Sequence, residues 1–118
     1  MFEYNKKQKY TEKWFDGMIP LWEQIFTQAI APIGIKNVLE IGCYEGRATS
    51  FVCEKYLQSG TNYDVIDTFK GTLEESVMKS TMGNFKENQN FIYDNFIHNI
   101  SFYPNINFNI NTGYSQYQ

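Results

Sequence analysis

Apolar positions along the chain alternate between two periods, and each change of period marks an element. Between residues 13 and 31, Phe15, Met18, Ile19, Trp22, Phe26, Ala29 and Ile30 recur at helical spacing. Pro20 interrupts the run. It predicts a turn or short helix, then a helix from about Pro20 to Ile30 that Pro32 and Gly34 terminate. The apolar stripe is broad. Met18, Leu21, Ile25 and Ala29 hold one face, Trp22, Phe26 and Ile30 lie beside it, and the helix is expected to pack on a sheet. Asn37 to Ile41, with β-branched Val38 and Ile41, reads as a buried strand.

After a loop from Gly42 to Gly46, Ala48, Phe51, Val52 and Tyr56 return to the helical period. They predict a helix from Arg47 to about Gln58, closed by Ser59-Gly60. Tyr63 to Asp67 is a second strand. Thr72 and Glu75 form a capping-box pattern at the start of a helix over 72–80. A longer helix is expected over 84–99, with Phe85, Ile92, Phe96 and Ile100 near one face. Ile106 to Ile110 alternates apolar and polar, as a third strand less buried than the first two. Residues 1–12 are polar and are expected to fray.

Strand, loop, helix and strand within about thirty residues is the size of a parallel crossover unit, which is right-handed in nearly every case. The fold class is therefore α/β. A helical segment over 1–35 precedes the α/β unit over 36–118, in a chain short enough for one domain.

Composition narrows the partners. A net charge of −3 supplies no pull toward nucleic acid or an anionic membrane surface. The cluster Lys6, Lys7 and Lys9 reads as a solvated tail. No stretch reaches the ~20 apolar residues of a membrane span. The N-terminus has no apolar signal core, and Cys43 and Cys53 read as reduced thiols, so a cytoplasmic location is expected. The single His98 cannot anchor a zinc site, and no metal is expected. The bias toward Asn, Lys, Ile, Tyr and Phe suggests an AT-rich genome.

The chemistry concentrates in the loop. Gly42 permits a tight turn with positive φ, Gly46 lets a ligand approach the backbone, and the helix start behind it offers N–H groups to an anion. Asp67 ends the next strand 25 positions after Gly42, about where a dinucleotide fold places its ribose-binding carboxylate. Glu40 and Glu45 put two carboxylates beside this loop, which would repel a pyrophosphate. A sulfonium cofactor bearing an α-ammonium suits them better, so charge favours S-adenosylmethionine over NAD or FAD. Bland readings stand beside these. The glycines alone also suit a plain tight turn, Glu40 a solvated strand end, and Arg47 a cap or ion pair. Cys43 reads as a small residue lining the loop through its backbone rather than a nucleophile, since no base lies near it in sequence. Trp14 and Trp22 read as core.

Glu40-Ile41-Gly42-Cys43-Tyr44-Glu45-Gly46-Arg47-Ala48-Thr49 resembles motif I of class I S-adenosylmethionine-dependent methyltransferases. Asp64-Val65-Ile66-Asp67-Thr68-Phe69-Lys70-Gly71 is similar to their second motif. The pair resembles the branch that includes macrocin-type O-methyltransferases and cephalosporin-hydroxylase-like proteins, over residues 36–71 and more loosely to about 112. The resemblance implies a partial Rossmann-like fold with three parallel strands in the order 3-2-1. It implies that Glu40, Gly42 and Gly46 shape a methionine pocket, with Cys43 and Tyr44 in the same loop. Asp67 would accept hydrogen bonds from the ribose hydroxyls, and Thr68 and Phe69 would lie near the adenine edge. Tyr44 departs from the pattern, because many relatives carry a second glycine there.

By the same resemblance, a fourth strand would normally cover strand 1, and the catalytic base or metal ligands would lie beyond it. The expected activity is O-methyl transfer to a small molecule, with this chain as the cofactor-binding part and inactive alone. The alternatives are a nucleoside-binding module without turnover and a structural or assembly module. An open strand 1 predicts either a piece of a longer protein or a homo-oligomer through that edge.

Overall fold

A computed structural model describes residues 2–30, 34–70 and 90–113. Three parallel strands, β1 (Asn37–Ile41), β2 (Asn62–Asp67) and β3 (Asn107–Thr112), form an open sheet in the order β1-β2-β3. Helices α1 (Ile19–Ile25), α2 (Arg47–Lys55) and α3 (Phe91–Ile100) flank it, so the architecture is a partial α/β Rossmann-like fold. The expected helix over 72–80 and the start of the one over 84–99 lie outside the described residues.

Parallel register places Val38 beside Tyr63 and Tyr63 beside Phe108. Because side chains alternate across a strand, Val38, Glu40, Tyr63, Val65, Phe108 and Ile110 share one face. That face carries the core. Tyr63 and Val65 are buried there, against Phe51 and Val52 of α2 and Ile92 and Phe96 of α3. In α3 the buried residues Ile92, Phe96, Asn99 and Ile100 make one helical stripe. Full burial of a side chain such as Phe96 stabilises by roughly 1.5–3 kcal/mol.

The other face begins with Leu39 and Ile41, which stand 61% and 59% exposed. The expectation of a buried first strand is corrected: β1 is the sheet edge, and none of its residues is buried. It is no better covered than β3.

Two further expectations change at the N-terminus. Pro20 does sit in the first turn of α1, where its missing N–H costs nothing, and a 3-10 turn (Trp14–Met18) precedes it. The helical path then continues as a π-helical turn (Phe26–Ile30). But the packed face is Phe15, Ile19, Trp22 and Phe26, while Met18, Leu21 and Ile25 stay exposed. Aromatic area decides this. Phe26 stacks on Tyr56 at 4.5 Å between ring centroids, and Phe15 meets Phe51 at 5.5 Å.

Residues 2–12 do not fray. Phe2 sets its ring edge on Phe51 at 5.1 Å. Gln8 is buried, and its amide donates to the Asn99 carbonyl (3.0 Å) and the Tyr103 hydroxyl (3.2 Å). Tyr10 donates to Ser50 at 2.6 Å. Helix α2 is thus held between the sheet and this strap, which is why Thr49 to Cys53 are all buried.

Candidate functional site

The strap, the glycine loop and the carboxyl ends of β1 and β2 meet in one region. The Gly42 N–H donates to the Ile66 carbonyl (2.9 Å), extending the ladder one residue beyond β1. The chain then turns through left-handed conformations at Gly42 (φ +79°), Tyr44 (φ +52°) and Gly46 (φ +82°). Gly46 caps α2, and its carbonyl accepts the first helical bond from the Ser50 N–H at 2.8 Å.

The two glycines do different work. A β-carbon on Gly42 would meet nothing within 4 Å, so the space over that turn is open. A β-carbon on Gly46 would lie 2.9 Å from the ring of Phe96. The close approach that Gly46 permits is made by the protein's own core.

Asp67 ties the two loops together. One carboxylate oxygen accepts from the Tyr44 N–H (2.8 Å) and the other from the Phe69 N–H (2.8 Å). A carboxylate has about four acceptor sites, so these two backbone bonds, with the Cys43 thiol beside them, do not exhaust it. Thr68 lies next to it and accepts weakly from the Lys70 N–H at 3.3 Å. Phe69, also left-handed (φ +59°), turns its ring into the core against Phe96 and Tyr93. Its backbone, not its ring, stands at the carboxyl edge.

Glu40 accepts on one oxygen from Thr49 (2.6 Å) and Tyr63 (2.7 Å). Burial raises its carboxyl above the ordinary range against the pull of those two donors, and the Asp67 charge adds to the rise. Cys43 is buried, and burial, then Glu40 and Asp67, push its thiol far up. A thiol held protonated in this way is a poor nucleophile.

Glu45 faces elsewhere. Its carboxylate accepts from the Thr11 N–H (2.8 Å), the Thr11 hydroxyl (2.9 Å) and the Asn95 amide (2.7 Å). The charge that counted against a pyrophosphate is therefore engaged in holding the strap to α3. Arg47 clamps Asp16 through two bonds of 2.6 Å, its guanidinium 4.0 Å from the Tyr4 ring centroid and 4.8 Å from that of Tyr10. Trp14 is 61% exposed rather than core, and its ring lies 5.1 Å from that of Tyr44.

The structure thus brings Gly42, Cys43, Tyr44, Asp67, Thr68 and Phe69 to the carboxyl edge, with Glu40 two residues behind Gly42 on β1. Thr49, Tyr63, Thr11 and Asn95 were not legible as partners. They are isolated polar residues in different elements, and no spacing links them. A groove of about 620 Å³ lies along β1 instead, between Lys36–Glu40 and Trp22, Ile25, Phe26 and Ile30. Of the loop-side candidates only Glu40 reaches it. Among the described residues no His, Cys, Asp and Glu cluster has the makings of a metal site, and no helix is long and apolar enough to cross a membrane. No family model matches the chain, and neither a curated protein nor a solved structure does.

Proposed function

We propose that this chain is the cofactor-binding part of an S-adenosylmethionine-dependent methyltransferase, acting by O-methyl transfer on a small molecule. The observation that carries the reading is the open left-handed turn at Gly42 beside Asp67, at the carboxyl ends of adjacent parallel strands. Ligands of open α/β sheets bind outside those ends. Asp67 retains acceptor capacity for ribose hydroxyls while fixing both loops. The Asp67 carboxylate gives the edge a negative charge that suits a cationic ligand. The cofactor supplies an electrophilic methyl group, and the residues present here serve to bind and orient it.

Titration calorimetry with S-adenosylmethionine and S-adenosylhomocysteine tests this. The expected result is saturable one-to-one binding that Gly42→Val abolishes, because its side chain enters the open space over the turn. Circular dichroism confirms that the variant is folded. A folded parent chain that takes up neither ligand at millimolar concentration overturns the reading.

A second reading, an assembly module that has kept the fold without the ligand, is favoured by a specific observation. Phe96 against Gly46, and Thr11 and Asn95 on Glu45, engage loop groups in contacts internal to the protein. The same titration separates the two.

A further inference from the structure

Three contacts tie the N-terminal strap and the 3-10 turn behind it to residues 44–47. The Trp14 ring lies 5.1 Å from that of Tyr44, Thr11 donates twice to the Glu45 carboxylate, and Arg47 clamps Asp16. Asn99 of α3 joins the same two segments through one buried amide group. Its Oδ1 accepts from the Lys9 N–H at 2.6 Å. Its Nδ2 donates to the Lys9 carbonyl and to the Glu45 carbonyl, both at 2.8 Å. The main chain of the strap and the main chain of the glycine loop are thus bonded to the same side chain.

The strap can leave as a unit. Among the described residues, the only bond from main chain to main chain made by residues 2–12 is a local one, from the Gln8 N–H to the Asn5 carbonyl at 3.0 Å. Its hydrogen bonds to the rest of the fold run through side chains, so no sheet ladder or helix has to break for it to detach. Gln8 Oε1 is buried without a hydrogen-bond partner, a cost that only the docked state carries. Detachment removes two of the three bonds of the Asn99 amide and both Thr11 bonds of Glu45. Tyr44, next to Glu45, holds a left-handed φ of +52°. That conformation costs free energy in a residue with a side chain, and it relaxes once the neighbouring contacts go.

We infer that residues 2–16 are a detachable brace for the glycine loop, and that docking of the strap and ordering of residues 43–46 are one cooperative event passed through Asn99 and Glu45. The released state opens strap and loop together while the sheet and its helices stay folded. The carboxyl edge therefore has its form only while the strap is docked, and anything that draws the strap away loosens the edge. The coupling itself does not depend on which ligand the edge takes. Its consequence for the cofactor rests on the function proposed above. A ligand that needs the ordered loop holds the strap down, and the docked strap strengthens that ligand's binding by the same factor.

Residue-by-residue amide exchange of the full chain tests this, in the parent and in Gln8→Ala and Asp16→Ala. Neither parent side chain hydrogen-bonds to residues 42–46, and the part-exposed Asp16 gives a variant that should fold if Gln8→Ala does not. The N–H groups of Lys9, Thr11, Tyr44 and Gly46 are all hydrogen-bonded. They are expected to share one protection factor, below that of the slowest amides of β2. All four should accelerate by a common factor of roughly ten when a variant removes the equivalent of one net hydrogen bond. Loop amides that keep their parent rates while Lys9 and Thr11 accelerate overturn the inference. So do loop amides that exchange only with the slowest amides of β2, because the loop then opens only when the whole fold does. Saturation with S-adenosylhomocysteine should slow exchange at Lys9 and Thr11, by up to about a hundredfold at a hundred times Kd. Saturable binding that leaves those two rates unchanged also overturns the brace. A folded chain that takes up no ligand overturns the proposed function instead, and the exchange comparison still decides the brace.

Discussion

The ring of Phe96 occupies the space that a side chain at Gly46 would need, with its Cδ1 and Cε1 at 2.9 and 3.2 Å from the position of a β-carbon there. This contact seats α3 against the start of α2 and ties the shape of the glycine loop to core packing. Gly46→Ala faces a left-handed φ and a ring that must move. The expected destabilisation is about 2–4 kcal/mol, read from urea denaturation. In a Phe96→Leu background the steric share should fall away, leaving roughly the 1–2 kcal/mol of the φ cost. Strict additivity of the two changes would contradict the contact.

Removing the Glu45 carboxylate should loosen the strap. Glu45→Ala leaves the Thr11 N–H and the Asn95 amide without their acceptor, at an expected cost of about 2–3 kcal/mol. Amide exchange over residues 8–11 should accelerate more than the global loss of stability explains. Glu45→Gln keeps an acceptor for Thr11 but opposes the Asn95 amide with another donor, and should fall between. Unchanged strap exchange in the alanine variant would count against this anchor.

Glu40 should give stability a pH dependence of its own. Burial raises its carboxyl, so the folded chain holds the proton to a higher pH than the unfolded chain does. Stability therefore falls as pH climbs from the ordinary carboxylate range through the raised value. Glu40→Gln cannot ionise, and its advantage over the parent should grow as pH climbs above the ordinary carboxylate range, measured as denaturation midpoints. A difference constant with pH would show that the carboxylate ionises as freely as in water.

Arg47→Lys should not be a conservative change. Lysine keeps the charge but loses the two-pronged clamp on Asp16 and the flat group lying against Tyr4 and Tyr10. The expected loss is about 1 kcal/mol at neutral pH, after allowance for solvent screening at the part-exposed Asp16. Hydrogen bonding from Arg47 holds the Asp16 carboxyl below its ordinary value. That share of the stability is present above the ordinary carboxylate range and fades as pH falls through the lowered value. The gap between Arg47→Lys and the parent should accordingly narrow in acid.

Elements whose signal is local were readable in advance. β1 begins and ends at Asn37 and Ile41 as its β-branched run predicts, and α2 begins at Arg47 behind a left-handed Gly46. Asp67 stands at the end of β2 as its position predicts. Sequence pattern misleads where two patterns compete within one segment. The stripe of α1 offered an aliphatic face and an aromatic one, and only the presence of Phe51 and Tyr56 made the aromatic one the buried face. In the first dozen residues, polar composition suggested fraying. Their polarity serves buried hydrogen bonds to Ser50, Asn99 and Glu45, residues 34 to 91 positions away.

The sequence by itself determined the order of strands and helices, the parallel α/β class, and the meeting of a glycine turn with an acidic strand end. These follow from periodicity, from the conformational freedom of glycine and from the length of a crossover, all local properties. Tertiary structure alone decided which glycine stands open and which is filled, which carboxylate faces the carboxyl edge, and which apolar side chains are left uncovered. Each of these depends on what arrives from far along the chain: Phe96 at Gly46, Thr11 at Glu45, and, among the described residues, no strand beyond β1 in the sheet beside Leu39 and Ile41. Contacts of that kind leave no periodic trace in the sequence, because neither partner's spacing encodes the other.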